Sequence, residues 1–174
     1  KEIIDRNQNR LRFPNLQIHV PPFCILRTDL FGQFVSINRL RSVIKGEMSE
    51  EQIARHFFNA ALPATVSGEM WRILTGLRSP LAIRSSSLLE DQLATPFAGV
   101  YSTKMIPNLH SDKSLRFRQA ITAIKWIYAS TFFRDAVEYR RSLDIPEQAE
   151  AMAVIVQLIE GMRHSDRFYP HFSG

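Results

Sequence analysis

The sequence is short of several things, and each shortage closes off a class of protein. It holds a single cysteine, Cys24, so no internal disulfide can form, and a reducing compartment, the cytoplasm, is expected. Its longest apolar runs are residues 152–156 and 121–127, the second with Lys125 inside, well below the ~20 residues needed to cross a bilayer. Residues 1–16 are rich in Lys, Arg, Asp and Asn and lack the apolar centre of a secretory signal. Glycine is scarce, seven in all, and no Gly-rich turn joins a strand to a helix, which argues against P-loop and dinucleotide-fold sites. His19, His56, His110, His164 and His171 are scattered without metal-ligand spacing, and no acidic pair makes a Mg2+ site. The charge is +5, from 22 basic and 17 acidic residues, which suits phosphate ligands of any kind. The basic residues form no long tract and do not interleave with aromatics, so nucleic acid is not the expected partner.

What is present suits one ordinary domain: 174 residues, 45% hydrophobic and 22% charged, with twelve Phe and two Trp for a core. The chain opens on Lys1 and stops at Gly174 without a polar tail, and a piece of a longer protein is expected. Residues 16–20 alternate as a half-buried strand does, and Pro21-Pro22 leads into a short apolar run, 23–26, that reads as a buried strand with Cys24 a small hydrophobe within it. Thr28 serves as N-cap for a helix whose inner face carries Phe31, Phe34 and Val35. A short helix covers 40–44. Ser49-Glu50-Glu51-Gln52 is a capping box opening a helix through Ile53, Phe57, Phe58 and Ala61 that ends before Pro63. A further helix, about 65–77, buries Met70, Ile73 and Leu74. Turn residues 76–80 feed a strand, 81–84, and 101–106 alternates as another. Two helices follow, about 114–131 with Phe117, Ala120, Ile121, Ile124, Ile127 and Tyr128 on one face, and about 133–143. Residues 152–157, rich in β-branched side chains, give the most strand-like segment. The Phe57–Phe58 and Trp126–Tyr128 clusters read as core, and Tyr139-Arg140-Arg141 as a helix face paired with acidic neighbours.

The chemistry concentrates in residues 81–106, LAIRSSSLLEDQLATPFAGVYSTKMI. Arg84 ends an apolar strand and three serines follow it. A guanidinium presents five donors in a flat fork that matches phosphate oxygens, and serine hydroxyls add neutral donors beside it. The same residues have a plainer reading: Ser87-Leu88-Leu89-Glu90 matches a capping box, and Arg84 can pair with Glu90 or Asp91.

The segment IRSSSLLEDQLATPFAGVYST resembles the stretch VRSSATAEDLPGASFAGQQDT found, approximately, in phosphoenolpyruvate synthases, pyruvate phosphate dikinases and rifampin phosphotransferases. Arg84, Ser85, Ser86, Glu90, Asp91, Phe97, Ala98, Gly99 and Thr103 fall in register without a gap. Residues 114–145 resemble the family's helical stretch through Ala123, Lys125, Trp126, Ala129, Phe132, Tyr139 and Arg140. Residues 152–157 are similar to its MAVVVQ strand and 20–22 to its VPPGF element.

The resemblance implies an α+β fold, the first lobe of an ATP-grasp domain, with an antiparallel or mixed sheet flanked by helices. In that layout residues 1–106 and 144–174 build the β-containing part and 107–143 a helical insertion. It implies ATP as ligand, with Arg84 and Ser85 at the phosphates, Gly99 and Thr103 in the loop that closes over them, and Gln157 on the adenine side. Mg2+, the phosphate-binding lysine of a GGK segment, the second lobe, the phosphocarrier histidine and the pyruvate or phosphoenolpyruvate site are all expected outside these 174 residues. Three departures stand out: Phe23 replaces the glycine of VPPGF, Val100 replaces the glutamine after FAG, and Lys104, at a position usually apolar, offers an extra phosphate contact. They keep open a second reading, a non-catalytic regulatory module that retains the fold and binds nucleotide weakly.

Overall fold

The computed structural model describes residues 20–44, 48–87, 99–146 and 150–170. The expected strand at 16–20, the capping box running to Glu90, the matched residues Glu90, Asp91, Phe97 and Ala98, and His19 and His171 fall wholly or partly outside them.

The fold is α+β. Four strands, β1 (Phe23–Leu26), β2 (Leu81–Ser87), β3 (Thr103–Ile106) and β4 (Met152–Leu158), form one sheet in the order β1-β4-β2-β3. Every neighbouring pair is antiparallel. The helices are α1 (Thr28–Ile37), α2 (Leu40–Val43), α3 (Glu50–Asn59), α4 (Ala64–Gly76), α5 (Lys113–Ser130) and α6 (Arg134–Ser142). A hairpin of β5 (Met162–His164) and β6 (Arg167–Tyr169) follows the sheet.

Alternation in the strands sets the two faces of the sheet. Met152, Val154 and Val156 of β4 are buried and Ala153, Ile155 and Gln157 are partly open, because successive side chains point to opposite faces. Register carries that pattern across: Ile83 lies opposite Val156, and Cys24 also lies opposite Val156, so all three share the inner face. This face packs on α5, whose Ala120, Ile124 and Ile127 are fully buried, and on α1 through Phe31 and Phe34. Phe31, Phe34, Phe57, Tyr128 and Phe132 interlock with ring centroids 5.1 to 5.9 Å apart, tilted as aromatic quadrupoles favour. Residues of the 107–143 stretch thus contribute to the same core cluster as the strands.

Helix starts follow local chemistry. At α3 the capping box forms in full: Gln52 N–H donates to Ser49 Oγ at 3.3 Å, and Ser49 N–H donates to Gln52 Oε1 at 2.9 Å. At α5, Asp112 Oδ1 accepts from Ser114 N–H at 2.7 Å. The start of α1 differs from expectation. Thr28 is its first helical residue, Arg27 occupies the cap position, and no side chain caps it.

Four other details depart from the sequence reading. β1 lies at the edge of the sheet, paired with β4 alone among the described strands, and its Phe23 and Ile25, on the outer face, are 52% and 51% exposed. Phe58, expected in the core, lies at the surface against Trp126, while its neighbour Phe57 is fully buried. The serines after Arg84 continue β2 as strand, paired with Val154, Ala153 and Met152, since the long partner β4 supplies ladder bonds that local capping chemistry would forgo. The β5–β6 hairpin was not anticipated. Gly161 enters it at φ +155, where an added Cβ would lie 2.6 Å from the Tyr169 carbonyl oxygen, so only glycine fits without a shift.

Candidate functional site

The outer face of the sheet is open, and the register decides what it displays. Arg84 on β2 pairs directly with Thr103 on β3 and with Ile155 on β4. Ala82, two residues earlier, pairs with Gln157, and Gln157 in turn pairs with Phe23 on β1. Cross-strand partners share a face. Phe23, Gln157, Ala82, Arg84 and Thr103 therefore all project outward. An open groove of about 420 Å³ runs over this patch, lined by Pro21, Ala82, Arg84, Thr103, Gln157 and Glu160 among others. Three residues expected from sequence to share a ligand, separated by as many as 73 positions, are brought together here.

Arg84 is exposed, and no carboxylate among the described residues forms an ion pair with it. Its fork is held on a rigid central strand, a better platform than a loop for fixing a charged donor in space. Thr103 places a hydroxyl next to it across the ladder. Gly99 sits in a turn before β3 at φ +84, with open space where a Cβ would stand, so the glycine is required by backbone conformation and not by crowding. Gln157 brings one acceptor and two donors to the end of the groove nearer β1.

The other two expected contributors face elsewhere. Ser85 follows Arg84 in the strand, so alternation turns it to the helix-covered face together with Ile83 and Ser87. Lys104 is likewise turned inward from the outer face: its Nζ lies 4.3 Å from the centroid of the Trp126 ring, a cation–π contact on the helix side of β3. Within one strand, an odd-numbered offset from Arg84 or Thr103 turns a residue to the opposite face of the sheet.

Sequence reasoning missed a buried polar group behind the site. Arg140 and Glu150 are 2% and 5% exposed and form an ion pair, Nη1 to Oε2, at 2.7 Å. Tyr101 and Ser87 also donate to the Glu150 carboxylate. Burial, and then the hydrogen bond to Glu150, push the Tyr101 phenol well above its ordinary range, so it stays a neutral donor. The sequence reads Arg140 as part of a helix face paired with acidic neighbours; it does pair with a carboxylate, but a buried one ten positions on, beyond any helical spacing that would flag it. Arg116, 1% exposed, is a second buried guanidinium. It donates to the carbonyls of Thr75 at 2.9 Å and His110 at 2.7 Å, taking up a carbonyl at the C-terminal end of α4.

Among the described residues no group of three or more His, Cys, Asp and Glu converges on one point, so the groove offers no cage for a divalent cation from these side chains. No described helix is long and apolar enough to cross a membrane.

Comparison with known proteins places this geometry in a family context. The model of the pyruvate phosphate dikinase AMP/ATP-binding domain matches residues 6–168. A phosphoenolpyruvate synthase of Aeropyrum pernix is 26% identical over 169 residues, covering 85% of this chain and 20% of that protein. The uncharacterized phosphotransferase YvkC of Bacillus subtilis is 24% identical over 152 residues, covering 87% of this chain and 17% of its own length. A rifampicin phosphotransferase of Streptomyces sviceus is 31% identical over 125 residues, 71% of this chain and 13% of the relative. The chain thus spans a fifth or less of these curated relatives.

Proposed function

Because the chain belongs to the pyruvate phosphate dikinase AMP/ATP-binding domain family, we propose that its open sheet face binds ATP as one lobe of a phosphoenolpyruvate synthase-like dikinase. The observation that carries this reading is the convergence of Arg84, Thr103 and Gln157 on one groove. Arg84 and Thr103 supply a charged fork and a hydroxyl for phosphate oxygens at one end, and Gln157 matches the donor–acceptor edge of adenine at the other. Strand spacing and rise put Phe23 about 12 Å from Arg84 diagonally across the sheet, the reach of an extended nucleoside triphosphate. The exposed ring of Phe23, cross-strand from Gln157, is a flat surface on which a base can stack.

In this reading the chain's own residues bind and orient. Arg84 neutralises and aligns the triphosphate, and Gly99 lets backbone N–H groups approach it. Mg2+, when bound with the nucleotide, would supply further charge neutralisation, with ligands drawn from elsewhere in the protein. As ATP becomes AMP it gives up two phosphoryl units: a pyrophosphoryl group passes to a carrier histidine on another domain, its outer phosphate is taken off by water or inorganic phosphate, and the phosphoryl group left on the histidine goes on to pyruvate. A phosphotransferase with a different final acceptor would use the same lobe, since acceptor recognition lies on other domains.

The test is Mg-ATP turnover by the full-length protein, followed by chromatography of the nucleotides. AMP with phosphorylated histidine is expected. ATP binding without AMP would favour the non-catalytic module, which Phe23 and Val100 keep in view, and no binding at all would end the nucleotide reading.

A further inference from the structure

The ladder between β2 and β3 stops at the site. Among the described residues Arg84 and Thr103 are its last pair, and beyond them Ser85, Ser86 and Ser87 continue along β4, opposite Val154, Ala153 and Met152. On the β3 side the chain leading to Thr103 passes through Tyr101. Where backbone bonding ends, a buried carboxylate takes over. Glu150 Oε1 accepts from Ser87 Oγ at 2.9 Å, and Oε2 accepts from the Tyr101 hydroxyl and from Arg140 Nη1, the latter at 2.7 Å. Arg140 Nη2 donates onward to the Thr131 carbonyl at 2.5 Å, anchoring the group to the end of α5. Trp126 Nε1 donates to Ser102 Oγ at 3.2 Å, fixing the residue between Tyr101 and Thr103.

One ion pair in the core therefore holds the chain three residues after Arg84 and two residues before Thr103. Such a pair is expensive to desolvate, and well-packed apolar residues often serve stability as well. Its distinguishing property is direction. Each bond fixes an angle and a separation, and the two strands it fixes are those that carry the exposed fork and hydroxyl.

We propose that Glu150, Tyr101 and Ser87 are positioning residues for the Arg84–Thr103 pair, setting the spacing and angle at which these two meet an anionic ligand while touching no ligand themselves. The proposal rests on the nucleotide reading of the groove. The charge pair is left intact in the decisive variants: Tyr101→Phe and Ser87→Ala each remove one donor to a carboxylate that keeps Arg140. ATP affinity is measured by calorimetry on the full-length protein, with thermal midpoints recorded in parallel. Tyr101→Phe weakens ATP binding on the order of tenfold, the size expected when a binding group is displaced by a fraction of an ångström. Ile127→Val, a core change on α5 away from the groove, leaves affinity unaltered whatever its effect on the midpoint. The double variant Tyr101→Phe/Arg84→Gln loses less affinity than the product of the two single losses, because the clamp acts on the spacing between Arg84 and Thr103. Wild-type affinity in both clamp variants, or losses that simply multiply in the double variant, would overturn the proposal while leaving the nucleotide site standing. Failure of the wild-type protein to bind ATP would remove both.

Discussion

Replacing Arg84 with Gln is the sharpest probe of the groove. The side chain is exposed, and its loss breaks no ion pair among the described residues. Surface changes of this kind shift stability within about 0.5 kcal/mol. The backbone of β2 is held on both sides at this residue, by Thr103 and by Ile155, and the strand does not need the guanidinium to stay in place. Against a phosphate, a charge-assisted hydrogen bond contributes about 1.5–3 kcal/mol. At about 1.4 kcal/mol per factor of ten, that corresponds to a loss of roughly 10- to 150-fold in ATP affinity. Arg84→Lys keeps the charge and loses the planar fork, and lies between wild type and Gln. Titration calorimetry of Mg-ATP into the full-length protein, with thermal unfolding of the same samples, reads both quantities. Binding by the Gln variant within about twofold of wild type would refute the assignment. So would an affinity loss matched by a comparable loss of folding stability, since the guanidinium would then be a structural group.

Two further outcomes follow from the same face. Phe23→Ala weakens ATP by roughly one to two powers of ten, the range of base–aromatic stacking, and leaves inorganic tripolyphosphate binding unchanged; equal effects on the two ligands would place Phe23 away from the base. Gly99→Ala meets no atom but forces an alanine into φ +84, costing about 1–2 kcal/mol in a urea melt; an unchanged midpoint would show that the turn relaxes freely.

The local chemistry of the chain was legible without a fold. The capping box at Ser49–Gln52 needs only residues three apart, and it forms as read. The inner face of α5 follows from a period of 3.6, and Ala120, Ile124 and Ile127 are buried accordingly. Arg84, Gly99, Thr103 and Gln157 could be named because residue type and the spacing within two short segments carried a family pattern. Ser85 shows where that kind of reasoning stops. Adjacent to Arg84 in sequence, it lies on the other face of the sheet, a separation that only the two-residue repeat of an observed strand reveals.

Sequence alone determined which residues could form helices and strands, and which side chains had the chemistry for an anionic ligand, because those properties are set by neighbours within a few positions. Tertiary structure decided which of them meet. The order β1-β4-β2-β3 set Phe23 beside Gln157, and Arg84 beside Thr103, on one open face. It also buried Arg140 against Glu150 behind that face, a pairing of two charges that neither helical nor strand periodicity encodes. The physical reason is range: hydrogen bonding and side-chain period act along a segment, while burial and charge pairing depend on which segments the core brings together.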